Sequence, residues 1–498
     1  MEKKSLRRKR KSLPENEKLD QREVKAELKR RKRMNVEMAT VTYIFMFLFV
    51  FMAGYVIWFL MGDTDKILNN TKNRRQDLLA ERVTKGSILS DKGKVLAKTA
   101  VTESGNEKRV YPYDGLFAHV VGRATHGKTG LEASESYTML TTGINPVTGL
   151  FNELKGEKNP GNNVVTTLNV KLSQTASDAL GSHKGAVVVM EPSTGKILAM
   201  VSKPTYNPNQ LESTWESLVN NSDENSALYN RATQGLYPPG STFKLYTLLE
   251  YMRENDNYEK FRYTCTGRIG TGKDAINCYG HEVHGTIGLK RAFAKSCNAA
   301  FAQIGSTLNA SQWNKLCNSL YYNKTLPIKE LEQKSSCFDA TDVEGQGDIM
   351  QAAIGQGTTL TTPLQNSFLV SAALNGGTLM KPYLVDHIED TYGNVVKQYE
   401  TATVATPITT EEAKLLKQYM RETVVSGTAT ALNTSNYKAG GKTGSAQFKE
   451  GSSDSHAWFV GYAERDGRQL VVSIIVEGAG TGSAYAVPIA RKIFDAYF

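Results

Sequence analysis

Ser241 and Lys244 stand three residues apart in Tyr237-Pro238-Pro239-Gly240-Ser241-Thr242-Phe243-Lys244. Residues three apart are neighbours on one helix face, so a helix opening here puts an amine within reach of the hydroxyl. A free serine is a weak nucleophile and needs an adjacent base. Pro238, Pro239 and Gly240 stop any regular element before Ser241 and suit a sharp entry into a helix whose first turn carries the serine. The exposed backbone N–H groups of such a turn can help hold a developing oxyanion. Leu245, Leu248, Leu249 and Met252 recur at helical spacing, which predicts a buried helix.

Ser-x-x-Lys alone is a weak signal, and it recurs at Ser193/Lys196 and Ser435/Lys438. Ser193 falls in a hairpin turn, and Ser435 precedes a strand with no helix to present it. Ser-x-Asn occurs at Ser104/Asn106 and Ser296/Asn298, and Lys-Thr-Gly at Lys128–Gly130 and Lys442–Gly444. Only Ser241/Lys244, Ser296/Asn298 and Lys442-Thr443-Gly444 run in one order inside one predicted domain. Alone, Ser296 reads as a helix-surface serine and Lys442 as a solvated strand lysine. Together they supply what acyl transfer from a peptide requires. Ser241 attacks, and Lys244 takes its proton if burial and the cation Lys442 lower its pKa. Ser296 relays a proton to the departing amine, and Asn298 holds a substrate amide. Lys442 and Thr443 hold a C-terminal carboxylate. Gly444 keeps the strand open to substrate backbone, and the N–H groups of Ser241 and Ser445 are the natural oxyanion donors.

The elements that must position this set follow from pattern. A helix fits Val170–Leu180, ended by Gly181, and a hairpin pairs 185–191 with 196–202. Residues 205–235 read as irregular and 261–288 as loop. Arg291–Ile304 reads as one helix, residues 350–375 as helical, and Glu411–Val425 as an amphipathic helix. Strands fit 441–448, 457–462 and 469–476, and a helix closes the chain at 487–497. Strands first and last with helices between predict an α+β domain, one antiparallel sheet covered by helices on both faces. Residues 62–165 read as a small mixed α+β region. It has a polar helix over 62–84, two short strands around the Asp91-x-Gly93 turn, an extended run over 111–122 and a helical turn at 137–140.

The chain has 498 residues, room for two or three domains, and a net charge of +10. That charge is local: residues 1–37 hold 15 Lys/Arg against 7 Asp/Glu, while the remainder is nearly neutral. A basic tail beside a membrane segment is a topology signal, which argues against nucleic acid as a partner. Met38–Met61 contains no charged residue and reaches about 36 Å as a helix, enough to span a bilayer. The sequence thus divides into a cytoplasmic basic tail (1–37), helical from Pro14 to Arg33, a signal-anchor (38–61), a small N-terminal domain (62–165) and a catalytic domain (166–498). The positive tail keeps the N-terminus in the cytoplasm and sends 62–498 outside. All five cysteines fall in that outer part. Cys265 and Cys278 bracket a turn-rich segment and can form a disulfide in an oxidising exterior. No Cys/His cluster has zinc spacing, so neither a metal nor another cofactor is expected.

The ordered motifs resemble those of class B penicillin-binding proteins, the peptidoglycan D,D-transpeptidases. The resemblance runs from about residue 85 to the end. It also rests on His284-Gly285, Gly355-Gln356-Gly357 with Thr361-Thr362-Pro363, and His456-Ala457-Trp458-Phe459-Val460-Gly461. In the pedestal it rests on Lys85-Gly86, Asp91-x-Gly93 and Gly130-Leu131-Glu132. Lys85 and Lys92 stand where arginine is usual, and Ser445 where threonine is common. The resemblance implies the penicillin-binding/serine β-lactamase-like fold after a single transmembrane helix and a small pedestal. It further implies a single-pass protein of the bacterial plasma membrane. Its substrate would be the D-Ala-D-Ala end of a peptidoglycan stem peptide, its inhibitors β-lactams, and its partner a membrane glycan polymerase of the SEDS type. Residues 62–165 have no room for a glycosyltransferase domain. The alternatives are a D,D-carboxypeptidase, a serine β-lactamase, and a non-turnover β-lactam sensor or assembly scaffold. The anchor, the pedestal and the absence of a Glu-x-x-Leu-Asn segment after Ser296 argue against the β-lactamase.

Overall fold

The structure, a computed structural model, describes residues 15–62, 68–69, 73–102, 105–220, 226–342, 345–447 and 454–498. Ser104 and the first fourteen residues of the basic tail lie outside them, as do 63–67 of the predicted post-membrane helix and Phe448 of a predicted strand. Glu15–Gly62 form one 48-residue helix, which joins the expected tail helix to the expected span. Its apolar part is long enough to cross a membrane, and Phe47, Phe49, Phe51 and Trp58 are exposed on it. A helix satisfies its own backbone, which is what a segment leaving water requires.

Contacts divide the chain into residues 1–68 and 69–498. The second unit is built on two sheets. The first has five antiparallel strands in the order Lys438–Gln447, Ser455–Arg465, Arg468–Val476, Gly185–Met190, Ile197–Lys203. Gly185–Met190 is apolar at nearly every position because both its faces are covered. Val187 and Val189 join Phe459, Ile474, Leu172, Ile489 and Phe494, under the helices Val170–Leu180 and Ala486–Tyr497. Val188 and Met190 point the other way, into the core shared with the helix Lys244–Glu254. Helices therefore flank one sheet built from both ends of the domain, as the order of elements predicts.

The second sheet has six strands. Ile88–Leu89, Val95–Val101 and Glu107–Val110 lie beside Asn163–Thr166, and Val385–Glu389 and Val395–Gln398 complete it. The small N-terminal region thus shares a sheet with residues far along the chain. It is held by a buried charge cluster. Glu132 Oε2 accepts from Lys85 Nζ at 2.6 Å and Glu132 Oε1 from Arg109 Nε at 2.6 Å, with the carboxylate side chain fully buried.

Several expectations are corrected. Residues 111–122 form turns, not an extended run. Leu211–Asn220 is a helix within the stretch read as irregular. The stretch 261–288 holds two small antiparallel ladders, Arg262–Cys265 with Gly285–Gly288 and Arg268–Ile269 with Ile276–Asn277. Residues 350–375 are three helical pieces, interrupted where Gly355 and Gly357 adopt positive φ.

Candidate active site

Ser241 sits in a tight 3-10 turn, Gly240–Thr242, that feeds the helix Lys244–Glu254. Phe243 anchors this junction: its ring stacks on Tyr246 and packs against Trp313, Tyr322 and Phe338. Every residue from Lys244 to Glu250 is buried, so the Ser241 turn rests on a rigid central rod.

The expected helix Arg291–Ile304 is broken at the second motif. Leu289–Ala294 ends, and Asn298–Gly305 begins after a turn carrying Ser296 at φ 58°. The Ser296 N–H donates to the Phe293 carbonyl and the Cys297 N–H to the Ala292 carbonyl. That pair of bonds is a Schellman cap whose left-handed position is filled by serine instead of glycine. A side chain there costs about 1–2 kcal/mol, and the turn aims the Ser296 hydroxyl at two amines. Lys442 Nζ donates to Ser296 Oγ at 2.8 Å, and Lys244 Nζ lies 3.3 Å from the same oxygen. Lys244 also donates to the Ser296 carbonyl (2.8 Å) and Asn298 Oδ1 (2.7 Å). Among the described residues no hydrogen bond joins Lys244 to Ser241. The amine faces the second motif.

Both lysines are fully buried, and neither forms an ion pair among the described residues. Each lies over a ring, Lys244 over Phe301 at 5.4 Å and Lys442 over Phe293 at 5.7 Å. Burial pulls the Lys244 amine down to about 7, although the thiols of Cys297 and Cys278 oppose the shift. Burial and the neighbouring Lys244 push Lys442 well below the ordinary lysine range. Two ammonium groups cannot share one dry site cheaply, so this arrangement favours a neutral amine.

Lys442, Thr443, Gly444 and Ser445 lie on Lys438–Gln447, the edge strand of the five-stranded sheet. The Thr443 hydroxyl contacts that of Thr428. Gly444 also has a packing role. A Cβ there would meet the Pro239 carbonyl at 3.0 Å and Thr242 Cγ2 at 3.2 Å, so the glycine lets the Ser241 turn lie against the strand. Trp458 Nε1 then donates to the Pro238 carbonyl at 3.0 Å and ties the next strand to the same turn.

Residues 185–495 match the family described as penicillin binding protein transpeptidase domain. The chain belongs to that family. It is similar to a peptidoglycan D,D-transpeptidase of Mycolicibacterium smegmatis, PbpA, with 30% identity over 87% of this chain and 92% of the relative. It is also similar to the structure of penicillin-binding protein A from M. tuberculosis solved as a cephalosporin acyl-enzyme complex. The TM-score is 0.76 at 28% identity, over 84% of this chain and 99% of that one. A D,D-transpeptidase domain from Eggerthella lenta aligns with TM-score 0.74 at 29% identity, over 84% of this chain and 98% of that one. The M. tuberculosis neighbour is a class B penicillin-binding protein, and so is this chain.

Several residues outside the three motifs hold the Ser241 turn. The Gly240 N–H donates to the Gly355 carbonyl at 2.9 Å. Tyr237 bridges Thr361 through both backbone groups, and its hydroxyl donates to Glu477 Oε1 at 2.6 Å, where Arg231 Nε also donates at 2.8 Å. Trp458 and Glu477 carry no linear signal of their contacts with Pro238 and Tyr237, because only the folded sheet brings them there. Gly355 has φ 72°, and a Cβ on it would sit 2.2 Å from the Gly240 carbonyl. Gly355→Ala is therefore expected to displace the Ser241 turn. It should slow acylation at least tenfold and cost about 1–3 kcal/mol of stability. Penicillin labelling rates and a thermal melt check both effects.

The expected disulfide is not formed. Cys265 and Cys278 are free, with sulfurs 3.6 Å apart, far beyond the roughly 2.05 Å of a bond. These cysteines lack zinc spacing along the sequence, yet they converge in the fold. The fold gathers Cys265, Cys278, His284 and Cys297, whose ligand atoms all lie within 4.8 Å of one another.

Proposed function

We propose that this chain is a peptidoglycan D,D-transpeptidase that cross-links stem peptides through a Ser241 acyl-enzyme. The observation that carries the reading is the line of contacts Lys244 Nζ, Ser296 Oγ, Lys442 Nζ beside the nucleophile turn. It gives a proton taken up by Lys244 a path through Ser296 to a departing amine. Ser241 Oγ attacks the carbonyl of the penultimate D-Ala, and its proton passes to the neutral Lys244 amine. The peptide bond breaks, and the departing D-Ala amine takes a proton relayed through Ser296. The amine of a neighbouring stem then attacks the ester, loses its proton by the same route, and restores the Ser241 hydroxyl.

The edge strand supports this reading because it has an unpaired side. An extended substrate can add to it as a further strand, with Lys442 and Thr443 meeting the terminal carboxylate and Asn298 the substrate amide. The N–H groups of Ser241 and Ser445 complete the site as oxyanion donors. β-Lactams would acylate the same serine. The basic tail places the N-terminus in the cytoplasm and the catalytic domain outside, next to a membrane glycan polymerase of the SEDS type as partner.

A stem-peptide thioester with a D-amino acid acceptor tests the reaction. The exchanged aminolysis product is expected to dominate over the free acid. Free acid alone would make the protein a carboxypeptidase. No turnover and no penicillin adduct at Ser241 would sink acyl transfer altogether.

A further inference from the structure

The helix Pro146–Leu154 of the small N-terminal region is built inside out. Val147, Leu150, Phe151 and Leu154 fall at i, i+3, i+4 and i+7, one apolar stripe along the helix. A surface helix normally turns such a stripe toward the core. Here all four residues are exposed, Phe151 at 60% and Leu154 at 75%, and of the nine residues in the helix only Gly149 is buried. The polar face holds the helix to the body. Asn152 Nδ2 donates to Asn159 Oδ1 at 2.9 Å, and Asn159 Nδ2 donates to the Gly149 carbonyl at 3.4 Å. Asn145 caps the first turn by accepting from the Val147 N–H at 2.8 Å, with Pro146 at the first helical position. The helix is thus fixed by its polar side, and its apolar side joins no core cluster among the described residues. A second segment enlarges that apolar surface. A Cβ on Gly143 would lie 3.1 Å from Val396 Cγ2 and 3.2 Å from Asp390 Cβ, so the turn between Val385–Glu389 and Val395–Gln398 meets the start of the helix. That turn exposes Tyr392, and the strand after it exposes Val396.

The connectivity of the chain points to what covers this surface. The apolar span ends at Met61, and Asn69 is already fixed in the small region, where its Oδ1 accepts from the Tyr137 N–H at 2.9 Å. Eight residues reach at most about 28 Å. Val83 pairs with Asn159, and Lys158 Nζ donates to the Ala80 carbonyl at 2.6 Å. These contacts tie the end of the helix to the first elements after the span, and so keep it within reach of the bilayer. We propose that Pro146–Leu154 lies in the membrane interface, with its stripe entering the boundary between phospholipid headgroups and acyl chains and Tyr392 at the edge. The proposal rests on the reading of Met38–Met61 as a membrane span and adds a second contact to it. Aromatic side chains such as Phe151 and Tyr392 suit that boundary, and the stripe carries no charge that would have to be desolvated. Interfacial helices bury their apolar face about 5–10 Å deep, a depth that one row of side chains can fill. A single tether leaves a domain free to swing, whereas a second contact fixes which of its faces looks at the membrane.

The test uses the full chain reconstituted into phosphatidylcholine–phosphatidylglycerol vesicles with no other protein. Cys337→Ser removes the exposed thiol, and the other four cysteines are buried. A nitroxide is placed at Leu150→Cys or Phe151→Cys, and for comparison at Lys414→Cys, an exposed position on the helix Thr410–Val425. The ratio of collisions with lipid-dissolved oxygen to collisions with a water-soluble nickel chelate is expected to be about tenfold higher at Leu150 and Phe151 than at Lys414. Penicillin labelling at the parent rate shows that each labelled protein is folded, since none of these residues belongs to the acylation site. Leu150→Glu combined with Phe151→Glu is expected to return a label at Leu154→Cys to the ratio found at Lys414. An anchored protein whose labels at Leu150 and Phe151 are as open to nickel as the one at Lys414 overturns the proposal. So do labels shielded from both reagents, because a second copy or another stretch of protein then covers the stripe. A chain that alkaline carbonate extracts from the vesicles removes the membrane span and the proposal together, so the two failures are told apart.

Discussion

Lys244→Arg is expected to fold and yet to acylate with penicillin about a thousandfold more slowly than wild type, while Ser241→Ala forms no adduct at all. The serine result follows from the covalent step, since alanine offers no atom for the ester. The lysine result is the more informative. Arginine keeps a cation and hydrogen-bond donors at this position but does not give up a proton at accessible pH. If Lys244 served only as a charge, or only as a donor to the Ser296 carbonyl and Asn298, arginine would retain much of the rate. As a general base its loss is worth about 10²–10⁴ in rate, or roughly 3–5 kcal/mol of barrier. The site is dry, so the larger guanidinium also strains the packing over Phe301. A thermal melt run beside the kinetics separates that effect. A folded Lys244→Arg protein that acylates within tenfold of wild type would remove Lys244 from the base role.

The grouping of Lys244, Ser296 and Lys442 was legible because three weak motifs occur in one order inside one domain. The five-stranded sheet was legible for a similar reason. Its inner strands are near-continuous apolar runs with helices at either end of the domain, and few architectures cover both faces of such strands. Local chemistry that opposes local propensity was not legible. Arg291–Ile304 has the apolar spacing of one helix, and nothing in Lys295-Ser296-Cys297 announces a left-handed serine, since glycine is the usual residue there. The packing role of Gly444, whose missing Cβ admits the Pro239 carbonyl, was not legible either. The cysteine cluster was hidden by distance. Its ligands are spread over 265–297 and reach one point only after two small ladders fold back on a helix N-terminus. Two of those cysteines, taken alone, suggest a disulfide.

Glu132→Gln is expected to cost about 3–5 kcal/mol of stability while leaving the acylation chemistry of the remaining folded protein intact. The carboxylate is fully buried between Lys85 and Arg109, and removing one partner from a buried ionic cluster leaves the others uncompensated. Arg109 cannot shed its charge, and its guanidinium also donates to the Gly86 carbonyl at 2.7 Å. That fixes it where the lost charge would be felt. Burial alone would raise the Glu132 pKa, but Arg109 and Lys85 outweigh it and hold the carboxyl at about 2. Its folded pKa is thus below its unfolded value near 4.5. The stability it confers is fully present above that unfolded value and is lost as pH falls toward 2. The shift corresponds to about 3 kcal/mol. Burial pulls Lys85 down to about 8, with Glu132 opposing, so Lys85 stays protonated throughout the acid window and adds no slope there. Wild type should therefore lose stability between pH 4.5 and 2 more steeply than Glu132→Gln, whose profile lacks this component. Denaturant melts of both proteins across that range measure the difference. Parallel profiles would show that the cluster fixes the geometry of the small region without stabilising it.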